Sequence, residues 1–235
     1  MPMTETPPRL DSPGRFGATP AKASRSFREM RFANRWFGGA RSVLAQLPAV
    51  LGNLPDRELR VLDAGSGAGD IPLGLAAWAR GKGLACRIVA LDRHPEAVRA
   101  TAAAAAKHPE IATLRGDALS LPFGSDAFDV ALSAMLLHYF SDEDAARLLS
   151  ELARVARRAV IVADVERHWL PCRAIDALAA LTGNRLVRRE WKGSVLRGFT
   201  PAELDRLAET AGLRDRRIVR RFPFRLLLVA KAAGR

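Results

Sequence analysis

The residues of this chain best suited to chemistry are a glycine run set between carboxylates. Asp63-Ala-Gly65-Ser66-Gly67-Ala-Gly69-Asp70 follows an apolar run and opens a helical pattern, a placement that brings tight turns and backbone amides against a ligand. The glycine spacing discriminates between ligands. In the dinucleotide pattern G-x-G-x-x-G the pyrophosphate rests on the helix N-terminus, whereas here the third glycine comes one position earlier and Asp63 and Asp70 bracket the loop. Two carboxylates repel a pyrophosphate and suit an ammonium or a sulfonium. The Gly-Lys-Ser/Thr ending of a phosphate-cradling loop is absent. Asp92 closes a second apolar run 23 residues beyond Gly69, near the spacing at which a carboxylate accepts both ribose hydroxyls. An adenosine moiety is the simplest guest.

The elements that must position these residues are read from hydrophobic period. Apolar runs at 61–63, 87–92, 111–115, 128–133 and 159–164 alternate with helical patterns at about 70–80, 95–107 and 142–157. This alternation predicts a parallel sheet with helices on both faces, and a ligand site at the carboxyl ends of its strands near the topological switch point. A helix over 171–182 follows, then a basic loop, then a helix whose start is marked by Thr200-Pro-Ala-Glu203. The last two strands, 214–222 and 224–230, meet at Pro223, too tightly for a crossover helix, so they pair antiparallel unless Pro223 merely bends one long strand. Upstream, residues 1–25 read as a mobile arm, and 27–54 as two short helices interrupted at Gly38-Gly39. One domain over 26–235 results, with a helical cap at 26–56, a ligand-binding core at 58–165 and a substrate-side insertion at 166–200.

Composition limits the class. The 235 residues are 49% hydrophobic and 26% charged, enough for one core of ordinary size, and no apolar stretch approaches the roughly 18 residues of a spanning helix. The N-terminus carries Pro and charge in place of an apolar signal region, so a cytoplasmic protein is expected. Cys86 and Cys172 stand far apart without ligand spacing, which suggests neither a disulfide nor a metal site. Net charge is +12, concentrated in 1–41 (8 basic, 3 acidic) and 185–225 (12 basic, 5 acidic). These flanks are either solvated or attract nucleic acid, anionic lipid or an acidic acceptor.

Further pieces lie in order at strand ends: Gly116-Asp117-Ala118-Leu119 with Leu121-Pro-Phe123, Phe128-Asp-Val-Ala-Leu-Ser133, and Leu137-His138. With the glycine loop and Asp92 they resemble the class I S-adenosylmethionine-dependent methyltransferases over about 58–165. The resemblance implies a Rossmann-like, doubly wound, mostly parallel seven-stranded α/β sheet with an antiparallel C-terminal edge pair. It implies S-adenosylmethionine as cofactor and S-adenosylhomocysteine as product. Asp63 and the backbone of Gly65, Ser66, Gly67 and Gly69 would hold the methionine part, and Asp92 the ribose. Asp117, Ala118 and Leu119 would meet the adenine, Arg93 would cover its face, and Ser133 and Ala134 would lie beneath the sulfonium. Leu121-Pro-Phe123, the 133–138 segment and Phe199-Thr-Pro-Ala-Glu-Leu204 followed by Ala211-Gly-Leu213 are similar to the branch that methylates small molecules, including quinone and polyketide-tailoring enzymes.

Methyl transfer from a sulfonium is an in-line displacement and needs a base only when the nucleophile arrives protonated. His138, just past the fourth strand, is the best-placed imidazole for that role; the alternative is a structural histidine bonded to a backbone carbonyl. His94 and His108 read as surface residues. Trp36, Glu166, His168, Trp169 and Arg197 are the candidates for acceptor contact, with aromatic area suited to an aromatic or isoprenoid molecule. A small-molecule acceptor, no nucleic acid, a peripheral contact with anionic membrane, and a monomer or homodimer complete the expectation. Two other readings remain beside it, an RNA methyltransferase and a non-catalytic cofactor-binding protein.

Overall fold

The computed structural model describes residues 39–52, 57–182 and 185–232. The arm expected at 1–25, Trp36 and part of the helical cap lie outside these residues. The first described elements are α1 (Gly39–Leu44) and α2 (Leu47–Leu51). They are separated at Ala45-Gln46, because Pro48 lacks an amide and is suited to the first turn of a new helix; the interruption expected at Gly38-Gly39 reaches outside the described residues.

From there strands and helices alternate as expected: β1 (Leu59–Ala64), α3 (Asp70–Gly81), β2 (Cys86–Asp92), α4 (Pro95–Ala104), β3 (Ile111–Arg115), β4 (Phe128–Ala134), a 3-10 turn (Leu137–Tyr139), α5 (Asp142–Val155) and β5 (Ala156–Val165). Then come α6 (Trp169–Thr182), α7 (Arg185–Arg197), α8 (Pro201–Thr210), β6 (Arg216–Arg221) and β7 (Arg225–Lys231). The basic loop expected before Thr200 is therefore a helix, α7. Arginine and lysine are good helix formers, and Trp191, Val195 and Leu196 recur at helical spacing. Thr200 does start α8 with a capping box: its hydroxyl accepts from the Glu203 amide at 3.3 Å, and the Glu203 carboxylate accepts from the Thr200 amide at 2.8 Å.

The seven strands run in the order β3-β2-β1-β4-β5-β7-β6. The first five pair parallel, and β7 is antiparallel to both β5 and β6, as the tight turn at Pro223 requires. Because strand side chains alternate, the sheet divides its core in two. Val61, Ile88, Val130, Leu132, Ile161 and Leu227 pack under α1, α2 and α3. Leu62, Leu91, Ala131, Val160, Val162 and Leu228 pack under α5 and α8. The strand order reverses between β1 and β4, so a crevice opens outside their carboxyl ends.

The roof beside that crevice is fixed at Gly198. A Cβ there would lie 2.5 Å from the Val165 carbonyl, and this close approach lets Phe199 donate to Val165 (3.1 Å) and Arg167 donate to Phe199 (2.8 Å). The end of α7 is thus joined to the end of β5. At the opposite, amino-terminal end of the strands Asp129, fully buried, accepts from Arg57 (2.6 Å), Arg157 (2.8 Å) and the Arg60 amide (3.0 Å), tying β4 to its neighbours. Since both arginine partners are half-exposed and can return to water, Asp129→Ala should cost about 2 kcal/mol, seen as a lower urea midpoint with an unchanged slope.

Candidate functional site

The loop after β1 turns through three left-handed glycines, Gly65 (φ 83°), Gly67 (φ 54°) and Gly69 (φ 82°), a path other residues adopt at a cost. At Gly65 a side chain is also excluded by space, since a Cβ would lie 2.6 Å from Leu136 Cδ2. The amides of Gly65 and Ser66 donate to the Leu91 carbonyl (2.8 and 3.0 Å), Gly67 donates to the Asp92 carboxylate (3.0 Å), and Gly69 donates to Ser66 (2.9 Å). Thr101 Oγ1 donates to the Gly67 carbonyl at 3.0 Å. Four of the five loop amides are thus engaged within the protein. The loop offers a ligand close approach and the charge around it more than a set of open donors.

That charge is negative. Asp63 is buried, neither of its oxygens has a hydrogen-bond partner, and the Ser66 hydroxyl is likewise buried without one. Burial first, then the neighbouring Asp92 and Asp70, pushes the Asp63 carboxyl well above the ordinary carboxylate range. Asp92 is buried at the end of β2 and accepts from Gly67 through one oxygen and from the His94 amide (2.9 Å) through the other. Asp117 accepts from the Leu119 amide at 3.0 Å. A cleft of about 880 Å³, including its open mouth, is lined by Gly65, Ser66, Gly67, Asp92, Arg93, Asp117, Ala118 and Ala134 among others.

The structure also separates residues that the sequence grouped. Asp63 lies beneath the loop and not on the cleft wall, and Leu119 gives its amide to Asp117. Ser133 is fully buried and donates to the Ala64 carbonyl at 2.8 Å, so it ties β4 to β1 and does not face the cleft. His94, read as a surface residue, lines the cleft, because its amide caps the Asp92 carboxylate. Met135, Leu136, Tyr139 and Phe140, not among the residues expected at the site, also line the cleft, with Leu136 against Gly65. Met135 adopts φ 58°, rare for a side chain of its size, where the chain leaves β4 for the 3-10 turn. An aromatic pair just past a strand end was the available signal.

His138 sits behind this part of the cleft wall, 1% exposed and absent from the cleft lining. Its Nδ1 is 2.6 Å from Asp164 Oδ1 at the end of β5, and its Nε2 is buried with no hydrogen-bond partner. The carbonyl bond expected of a structural histidine is replaced by a carboxylate. Burial works to raise the Asp164 carboxyl, but the adjacent imidazole and the amides of Val165 and His138 outweigh it and hold Asp164 below its ordinary value. The Tyr139 ring lies 4.2 Å from His138, tilted by 35°, and the Arg197 guanidinium lies 5.6 Å over the Tyr139 ring.

Of the acceptor-side candidates among the described residues, Arg197 alone reaches the cleft wall, through Tyr139. Glu166 is buried and accepts from Arg220 at 2.8 Å, and His168 lies between Trp169 (5.8 Å) and Phe224 (5.1 Å). Trp169 is largely exposed, and Trp36 is not among the described residues. Among the described residues no group of three His, Cys, Asp or Glu side chains converges to hold a metal ion.

Residues 61–159 match the model of a family described as a methyltransferase domain. No curated protein sequence matches the chain. Solved structures are similar across nearly its whole length. A SAM-dependent methyltransferase from Aquifex aeolicus aligns at TM-score 0.65 and 19% identity, covering 92% of this chain and all of that one. Human N-acetylserotonin methyltransferase, in complex with SAM, aligns at 0.64 and 18% over 92% of this chain, which spans 57% of the human one. Magnesium protoporphyrin IX methyltransferase from Synechocystis PCC 6803, with bound SAH, aligns at 0.58 and 19% over 94% of this chain and 90% of its own. The matched segment and this sheet order give the chain the Rossmann-like fold of the S-adenosylmethionine-dependent methyltransferases.

The residues present fit that cofactor. A buried, unpartnered carboxylate beneath the turn is the complement of a cationic group, and Asp92 retains lone pairs toward the cleft for a diol. Without the ligand Asp63 is a liability. It holds its proton more tightly folded than unfolded, so stability falls as pH rises above the ordinary carboxylate value, about pH 4. Asp63→Asn should therefore raise the thermal midpoint of the ligand-free protein at about pH 8, with a difference that shrinks toward pH 4, while weakening S-adenosylmethionine binding. Asp92→Ala should abolish that binding in a folded protein, as read by calorimetry.

Proposed function

We propose that this chain transfers a methyl group from S-adenosylmethionine to a small-molecule acceptor whose nucleophile arrives protonated, such as a phenolic, quinone or polyketide-type hydroxyl or carbon acid. The observation that carries this reading is the buried His138–Asp164 pair, with Nε2 unpartnered immediately behind the cleft wall. Names of two similar structures refer to small-molecule acceptors, which supports the same reading.

When bound, the cofactor supplies an electrophilic methyl group on a positively charged sulfur. Asp63 and the glycine loop would hold its methionine part, Asp92 its ribose, and Asp117 with Ala118 its adenine. An ionised carboxylate only accepts, so Nδ1 carries the proton toward Asp164 and Nε2 keeps its lone pair. Nε2 then takes the acceptor proton, and Asp164 is the counter-charge for the imidazolium. His138 is buried beneath the 3-10 turn, against which α7 packs, so proton transfer to Nε2 requires that wall to move aside as the acceptor binds. Alignment in such a pocket is worth about 7–11 kcal/mol, and a positioned base a further factor of about 10²–10⁴.

A screen of phenols, quinones and polyketides with the purified protein supplies the acceptor for the test. His138→Ala should lower kcat by about 10²–10⁴ with cofactor affinity unchanged. Asp164→Asn should lower kcat too, by favouring the tautomer with its proton on Nε2. Full turnover in His138→Ala would remove the base from the mechanism.

A further inference from the structure

The roof helix α6 is apolar on both sides. Its inner face places Cys172 and Ile175 against Val165, Val195 and Met135. Its outer face carries Leu170, Ala174, Ala177 and Leu181, all exposed at helical spacing, with Leu181 86% exposed. A helix in contact with water ordinarily turns charge outward. The only charged residues of α6 are Arg173, which is exposed, and Asp176, which is held by Lys192 at 2.6 Å.

A second apolar group adjoins the start of this helix. The His168 ring lies 5.8 Å from Trp169 and 5.1 Å from Phe224, which brings the β6–β7 turn beside α6. Phe222 in that turn is 91% exposed, and it follows the exposed Arg220 and Arg221. The patch therefore combines leucines, an exposed tryptophan and a phenylalanine with arginines at its border. Single exposed apolar residues are ordinary, but a contiguous set rimmed by one sign of charge marks an interaction surface.

We propose that the outer face of α6 and the β6–β7 turn dock on an anionic lipid surface. The apolar side chains enter the acyl boundary, tryptophan sits at headgroup level, and Arg173 and Arg221 meet phosphate. A second copy of the chain is the poorer occupant, since a two-fold contact would set arginine rims against each other. Nucleic acid would engage the arginines and leave Leu170, Leu181 and Phe222 in water. Among the described residues no helix is long and apolar enough to cross a membrane, so the contact is peripheral. It would also set the roof of the site, and with it the acceptor's approach, against the lipid.

The test is sedimentation of the full chain with vesicles of phosphatidylcholine mixed with phosphatidylglycerol, and with vesicles of phosphatidylcholine alone. The protein should partition to the mixed vesicles and more weakly to the neutral ones, with binding that falls as salt rises. Leu181→Glu/Phe222→Glu replaces two outward side chains and should weaken binding at least about tenfold, with thermal midpoint and S-adenosylmethionine affinity unchanged. No partition of the unmodified protein would overturn the proposal. Undiminished binding of the double variant would do so too, because the basic N-terminal segment would then carry it. So would a dimer that the double variant abolishes.

Discussion

A carboxylate buried with no partner under a glycine turn is the constraint around which this molecule is organised. Burial first, then the neighbouring Asp92 and Asp70, raises the Asp63 carboxyl, so ionising it in the folded protein costs free energy. A cationic ligand relieves it. The same charge that destabilises the free protein thereby selects a sulfonium or ammonium compound over a pyrophosphate, and cofactor choice and the stability of the free state are linked through one side chain.

The sheet makes that arrangement available and extends it to the second substrate. Reversal of strand order between β1 and β4 opens the crevice, and the Ser133 hydroxyl on the Ala64 carbonyl holds those two strands together beneath it. On the other side β5 delivers Asp164 to His138, and the contact at Gly198 fixes the end of the roof over β5. The cleft and the imidazole thus lie on opposite sides of one short wall, Met135 to Phe140.

Much of this was legible in the chain. Alternating periods gave the strands and helices, the glycine spacing with Asp63 and Asp92 gave the ligand class, and Thr200 with Glu203 marked the start of α8. What stayed hidden depended on direction. Ser133 and Ala134 are neighbours, yet strand alternation sends one into the sheet while the other reaches the cleft. His138 and Tyr139 part in the same way within a single 3-10 turn, and no spacing tells which ring faces the guest. The arginine-rich segment of α7 resembled a loop because its charges masked a helical apolar period. His94 reads as a surface residue because its part in the site is played by a backbone amide, which the side chain does not announce.

Calorimetric titration of the purified protein with S-adenosylmethionine, S-adenosylhomocysteine and NADH tests the central claim most directly. Both sulfur nucleotides carry the amino-acid ammonium that would sit above Asp63, so the account predicts saturable binding of both and none of NADH. A folded sample that binds neither sulfur nucleotide, or binds NADH equally well, would contradict it.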